Sequence, residues 1–129
     1  MYDLFIVDVP GNDWNTMDLQ EKFPHARTIP HVDTLENISA CVSMAKTKYV
    51  WVIHSGSNYS KFDFDFTPVP WESNQLHCWG NQHSKFGDTF LVPSREFRNQ
   101  RPSMMSITDF KDIHWHEEIV PRLQNAGSV

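Results

Sequence analysis

Apolar residues in this chain come in short blocks closed by turn formers. Leu4-Phe5-Ile6-Val7 is unbroken by any polar residue and is closed by Asp8-Val9 and then Pro10-Gly11. A run apolar on both faces suits a central parallel strand covered on each side, and the Pro-Gly pair breaks it. Asn12 or Asp13 can cap a helix whose apolar positions Trp14, Met17 and Leu19 lead to Phe23, with Pro24 ending it. Ala26-Arg27-Thr28-Ile29 predicts a short strand stopped by Pro30. In Asp33-Thr34-Leu35-Glu36 an acidic cap is followed by Glu three positions on, as in a capping box, and Leu35, Ile38, Val42 and Ala45 then recur at helical spacing. Tyr49-Val50-Trp51-Val52-Ile53, β-branched and aromatic throughout, predicts the strongest strand and ends abruptly in His54-Ser55-Gly56-Ser57-Asn58. Strand, helix, strand, helix, strand in this order implies right-handed crossovers and a parallel sheet.

The pattern then changes. Phe62-Asp63-Phe64-Asp65-Phe66 alternates as a half-exposed strand does, Pro68 and Pro70 bracket a turn, and Trp71 is placed to plug the core. Leu76-His77-Cys78-Trp79 and Thr89-Phe90-Leu91-Val92 predict two more strands around a polar loop, so this half reads as antiparallel or mixed. Beyond Pro93 the pattern predicts a helical turn over 95–98, a strand over 104–107, a strand or helix over 113–120, and a frayed tail.

At 129 residues with 40% hydrophobic and 13% aromatic content, the chain fits one packed domain. Its net charge of -5 argues against nucleic acid as a direct electrostatic partner. Arg95, Arg98 and Arg101 are the one basic group, a pattern typical of a solvated face though useful against phosphate. Cys41 and Cys78 each sit among apolar neighbours, as buried thiols do in a reducing compartment. The start has no basic, then apolar, leader pattern, and no run approaches the roughly 18 apolar residues of a membrane span. The expectation is a cytoplasmic protein.

In an open parallel sheet, ligands bind beyond the carboxyl ends of the strands. Here those ends are residues 8–13, 30–33 and 54–59. Ser55, Ser57 and Asn58 can hydrogen-bond a ribose or phosphate, and Gly56 allows close backbone approach. The same residue types also make ordinary turns. His114-x-His116 points two rings to one face of a strand, with His77 and His83 flanking a nearby loop, but the spacing matches no recognised zinc arrangement. There is no nucleophile elbow and no phosphate-binding glycine loop. Asp63, Asp65, Glu117 and Glu118 read as solvated acids.

The order of these segments resembles the GT-A type of nucleotide-diphospho-sugar glycosyltransferases, in particular short versions carried by bacteriophages. The stretches that carry the likeness are Asp3-Leu4-Phe5-Ile6-Val7, Glu21-Lys22-Phe23-Pro24-His25-Ala26, Thr47-Lys48-Tyr49-Val50-Trp51-Val52-Ile53, Phe62-Asp63-Phe64-Asp65-Phe66, His77-Cys78-Trp79 and Phe86-Gly87-Asp88-Thr89-Phe90-Leu91-Val92-Pro93. Together they span residues 2–93 and rest on order and spacing rather than one sharp motif. In that family the strand matching residues 49–53 ends in Asp-x-Asp, whose carboxylates hold Mg²⁺ or Mn²⁺ against the diphosphate. Here the positions read His54-Ser55-Gly56, so both acids are missing. The resemblance implies a nucleotide-sugar site at Asp8, Pro10, Asp33, His54, Ser55 and Asn58, with Asp88 as candidate base and no metal assigned. The acceptor stays open, as do a homo-oligomer and a partner chain that completes the site.

The expected architecture is one three-layer α/β domain of GT-A or Rossmann type. Residues 1–60 form its nucleotide-binding half, 61–121 a mixed-sheet half and 122–129 a tail. Its function is either metal-independent nucleotide-sugar transfer or, with activity lost, binding as an interaction module with an exposed aromatic patch built from Trp71, Trp79 and Trp115.

Overall fold

The computed structural model describes residues 2–64, 74–81, 86–101, 106–117 and 120–123. Its elements run β1 (Tyr2–Asp8), α1 (Asp13–Lys22), β2 (Arg27–Pro30), α2 (Thr34–Met44), β3 (Tyr49–His54), β4 (Leu76–Asn81), β5 (Phe86–Pro93), α3 (Ser94–Gln100) and β6 (Ile113–His116). The six strands form one sheet in the order β2-β1-β3-β5-β4-β6. β1 pairs in parallel with β2 and β3, β5 runs antiparallel to both β3 and β4, and β6 is parallel to β4. A parallel start followed by a mixed half is what the sequence predicts.

β3 explains why. All six of its residues are buried, as a strand needs to be when neighbours flank it and helices cover both faces. From β1 the chain steps outward to β2, then crosses back over β1 to β3. Two right-handed crossovers in opposite directions put their helices on opposite faces. Accordingly α1 contributes Leu19 to one core layer, with Ile6, Tyr49, Trp51, Ile53, Trp79 and Leu91. On the other face α2 and α3 contribute Ile38, Cys41, Val42 and Phe97, packed with Phe5, Val50, Val52, Cys78 and Phe90. Cys41 and Cys78 are buried free thiols: burial pushes the Cys41 thiol up to about 12, and burial together with the nearby Asp88 carboxylate raises that of Cys78.

Helix caps follow the sequence in part. The Asp33 carboxylate accepts from the Glu36 backbone N–H at 2.8 Å, which closes the start of α2. At α1 the cap position is Asn12, but its side chain makes no cap bond. The turn before it is set by Pro10 and Gly11: Asn12 N–H donates to Val9 C=O at 3.2 Å, and Gly11 takes φ 85°. Proline then positive-φ glycine is the signature of a type II turn.

Five expectations change. In α1 the buried side is Asn15, Thr16 and Leu19, while Trp14 and Met17 are 56% and 61% exposed. Residues 62–64 form no strand; Phe62 and Phe64 close a ring cluster with Tyr59, 4.7 Å apart centroid to centroid. Ile107, expected in a strand over 104–107, begins a 3-10 turn Ile107–Asp109, and 102–105 lie outside the described residues. Trp79 is 1% exposed, between Trp51 and the ring of His116, so it cannot belong to an exposed aromatic patch. Trp115 is partly buried against the core, and Trp71 lies outside the described residues. Finally, Arg122 and Leu123, read as the start of a tail, are paired to the loop after β3.

Candidate functional site

The strand order reverses between β1 and β3, so their carboxyl ends form the point where the connections diverge. The ladder runs off the end of both strands here. Ser55 N–H donates to Val7 C=O at 2.9 Å, and Val9 N–H donates to the Ser55 hydroxyl oxygen at 2.8 Å. Ser55 thus staples the loop after β1 to the loop after β3. From α1, the Asn15 side-chain amide donates to the carbonyl oxygens of Ser55 and Ser57 at 2.7 and 2.8 Å. The neighbouring Thr16 hydroxyl donates to Asp8 at 2.8 Å. β2 joins through His31 N–H, which donates to Asp8 C=O at 3.2 Å. Asn37 holds the following turn by donating to Pro30 C=O and accepting from Val32 N–H, each at 2.9 Å.

Asp8, Pro10, Asp33, His54, Ser55 and Asn58 are therefore gathered at one end of the sheet, as the sequence predicts. They are not equally available. Pro10, Asp33 and Asn58 are exposed and Asp8 half-buried, whereas Ser55 is fully buried and His54 is 5% exposed. The His54 ring stands edge-on to His31, 5.0 Å between centroids. Burial, then the neighbouring His31 and Arg122, pull its pKa down to about 3, so His54 is neutral at physiological pH.

Asp88 reaches the same end because β5 runs antiparallel to β3: Thr89 is registered opposite Ile53. Its carboxylate, 2% exposed, accepts from the Ser57 hydroxyl at 2.5 Å and lies 3.8 Å from the Arg122 guanidinium. Burial raises the Asp88 pKa, and the Ser57 hydrogen bond and Arg122 oppose that rise. The Tyr59 hydroxyl lies 2.7 Å from both the His54 and Asp88 carbonyl oxygens and ties β3 to β5. Over the top, Asn58 N–H donates to Pro121 C=O at 2.7 Å and Leu123 N–H to Gly56 C=O at 3.0 Å.

Comparison of the chain with protein-family models, with curated proteins and with solved structures finds no match. At 54–56, where a divalent cation would need carboxylates, the donors are a buried imidazole and a hydroxyl already accepting from Val9. Such a donor set does not fit Mg²⁺ or Mn²⁺, which take oxygen ligands. At the far edge, His77, His114 and His116 share one face of β4 and β6, and His77 Nδ1 meets His116 Nε2 at 2.8 Å. Among the described residues no three His, Cys, Asp or Glu side chains are placed to hold a metal ion. The arginines are also occupied: Arg98 donates to Val42 C=O at 2.8 Å and Arg101 to the Ser39 hydroxyl at 2.7 Å.

Sequence reasoning missed Asn15, Thr16 and Arg122, and it gave Asn12 and His31, inside the stretches 8–13 and 30–33, no role at the site. Asn15 had a signal: Asn15, Leu19 and Phe23 recur at i, i+4, i+8, which is one helix face. Asn12 is fully buried, and its Oδ1 accepts no hydrogen bond among the described residues.

Proposed function

We propose that this domain binds a nucleotide sugar at the carboxyl ends of β1, β2 and β3, as a glycosyltransferase-like protein that works without a metal ion. The observation that carries the proposal is the order reversal between β1 and β3, with the loops 8–13, 30–33 and 54–58 meeting there. Crevices of this kind are the usual ligand site of open α/β sheets. Pro10, Gly11, His31, Asp33 and Asn58 are exposed there and Asp8 half-buried, and these are the side chains a nucleoside would meet. Asp88 is the candidate base. The loop after β3, His54-Ser55-Gly56-Ser57-Asn58, carries no carboxylate for a Mn²⁺ or Mg²⁺ clamp. No helix among the described residues is long and apolar enough to cross a membrane, and a cytoplasmic location is part of the proposal.

A thermal-shift panel of UDP-, GDP-, CMP- and TDP-sugars, each with and without Mn²⁺, tests it. A ligand present at a hundred times its Kd stabilises the native state by about 2.7 kcal/mol, a readily measured rise in Tm. A rise with one nucleotide class, unchanged by Mn²⁺, is expected. No rise with any of them rejects the site.

One observation favours a second reading, a non-catalytic interaction module. Ser55 and Ser57, the polar groups best placed to meet a phosphate, are wholly buried and hydrogen-bonded to Val9 and Asp88. A site kept for binding alone would give the thermal shift but no hydrolysis or transfer of the sugar. Product analysis by mass spectrometry after incubation with the binding nucleotide sugar separates the two.

A further inference from the structure

A groove runs along α1 from Trp14 to Lys22, outside the nucleotide crevice. Trp14, Asp18 and Lys22 form one stripe of the helix at i, i+4 and i+8, and Asn58, Tyr59, Ser60 and Phe64 form the facing wall. The cavity between them measures about 210 Å³. Trp14 is 56% exposed and Met17 beside it 61%, on a helix whose buried side carries Asn15 and Thr16. A large indole left in water while amides are buried is the reverse of ordinary helix packing, and it needs a reason.

The chemistry of the walls narrows the ligand. Aromatic rings offer an apolar face at low entropic cost: the Trp14 indole on one side, and Phe64 packed on Tyr59 at 5.4 Å on the other. Between them stand a carboxylate, an ammonium, an amide and a hydroxyl, from Asp18, Lys22, Asn58 and Ser60. Lys22 Nζ lies 5.0 Å from the Phe64 ring centre and closes one end. A ligand with flat C–H faces and a rim of hydroxyls matches that set. The volume lies below the roughly 300–1,000 Å³ of a drug-sized pocket, enough for a single ring. The net charge of -5, with Asp18 in the wall, disfavours a polyanion. Asn58 belongs to both this groove and the loop that ends β3.

We infer that the α1 groove binds one ring of a neutral saccharide, stacked on Trp14 and hydrogen-bonded by Asp18 and Asn58. Its role as the acceptor side of a transfer rests on the nucleotide-sugar reading above; saccharide binding itself does not.

Saturation-transfer NMR tests it with no nucleotide present. The probes are methyl glucopyranosides, methyl galactopyranosides, N-acetylglucosamine and the disaccharides cellobiose and chitobiose at millimolar concentration. Transfer to the ring protons of at least one probe is expected, together with its loss in W14A and a severalfold reduction in D18N. Both variants alter exposed side chains, and an unchanged Tm checks that they fold. No transfer from any probe, or transfer that survives W14A, overturns the inference. So does a single-stranded oligonucleotide that binds in a Trp14-dependent way where the saccharides do not. In the same W14A protein the nucleotide-driven thermal shift should persist. Its absence in wild type as well would reject the crevice and leave the saccharide result standing.

Discussion

Ser57 donates its hydroxyl proton to Asp88 over 2.5 Å, with both side chains buried. This bond joins the loop after β3 to the antiparallel strand beside it. Removing the donor in S57A leaves a buried carboxylate short of a partner, which costs about 1–3 kcal/mol. D88N has the opposite sign at neutral pH. Burial raises the Asp88 pKa in the fold above its usual 3.8, so the folded state holds its proton to a higher pH than the unfolded chain does. The stability this confers is present in acid and lost as pH rises through the folded value. An amide keeps an acceptor for Ser57 and removes the buried charge. Urea denaturation at pH 7 should therefore rank D88N at or above wild type and S57A below it.

Asn15 is the second pin of the loop. Its amide satisfies two carbonyl oxygens, of Ser55 and Ser57, and N15A should lose about 1–3 kcal/mol. Aspartate is nearly the same shape but cannot donate when ionised. N15D should be less stable than N15A at pH 7, because it sets a charge against two carbonyl oxygens. Equal stability of the two variants in a denaturant series would mean that the amide is not what holds the loop.

Acid should weaken the fold through His54. Its pKa falls from 6.5 to about 3 on folding, mainly by burial. Above 6.5 the ring is neutral in both states and its contribution is intact. Between 6.5 and 3 the unfolded chain takes a proton that the fold refuses, and stability falls by about 1.4 kcal/mol per pH unit. His77 and His116, held down to about 4 chiefly by burial, act in the same direction. H54Q should flatten the stability–pH curve by about one proton between pH 4 and 6, measured as the change in slope of the unfolding free energy.

On α1 the exposed and buried faces can be told apart by truncation. W14A should change stability by less than about 0.5 kcal/mol, as surface substitutions do. L19A, in the core layer with Ile6 and Trp51, should cost about 2–5 kcal/mol. Comparable losses in the two would place the indole in the core.

The interior of the sheet was legible because its residues leave no alternative. Tyr49–His54 is apolar on both faces until its last residue, and only a central strand buries both. Residues 62–64 depart from the strand pattern because period two reports which side chains share a face, not whether a neighbouring backbone is there to pair. Phe62 and Phe64 share a face in a ring cluster without a ladder. The pattern of α1 points to its most apolar residues, whereas its inward face is chosen by hydrogen bonds from Thr16 to Asp8 and from Asn15 to Ser55, a group brought close only by the sheet. The same reason limits the site. Which loops meet follows from the strand order, but the closing of the 54–58 loop depends on Asp88 and Arg122, partners distant in sequence that no local pattern announces.

The pairing of Gly56 and Asn58 with Leu123 and Pro121 has a kinetic consequence. Those contacts span about half the chain, and closing so wide a separation comes late, after the helices and β1 have found their places. Until then the loop after β3 lacks its outer partner. A refolding protein should regain its helical circular dichroism before amide protons in the 56–58 segment become protected from exchange.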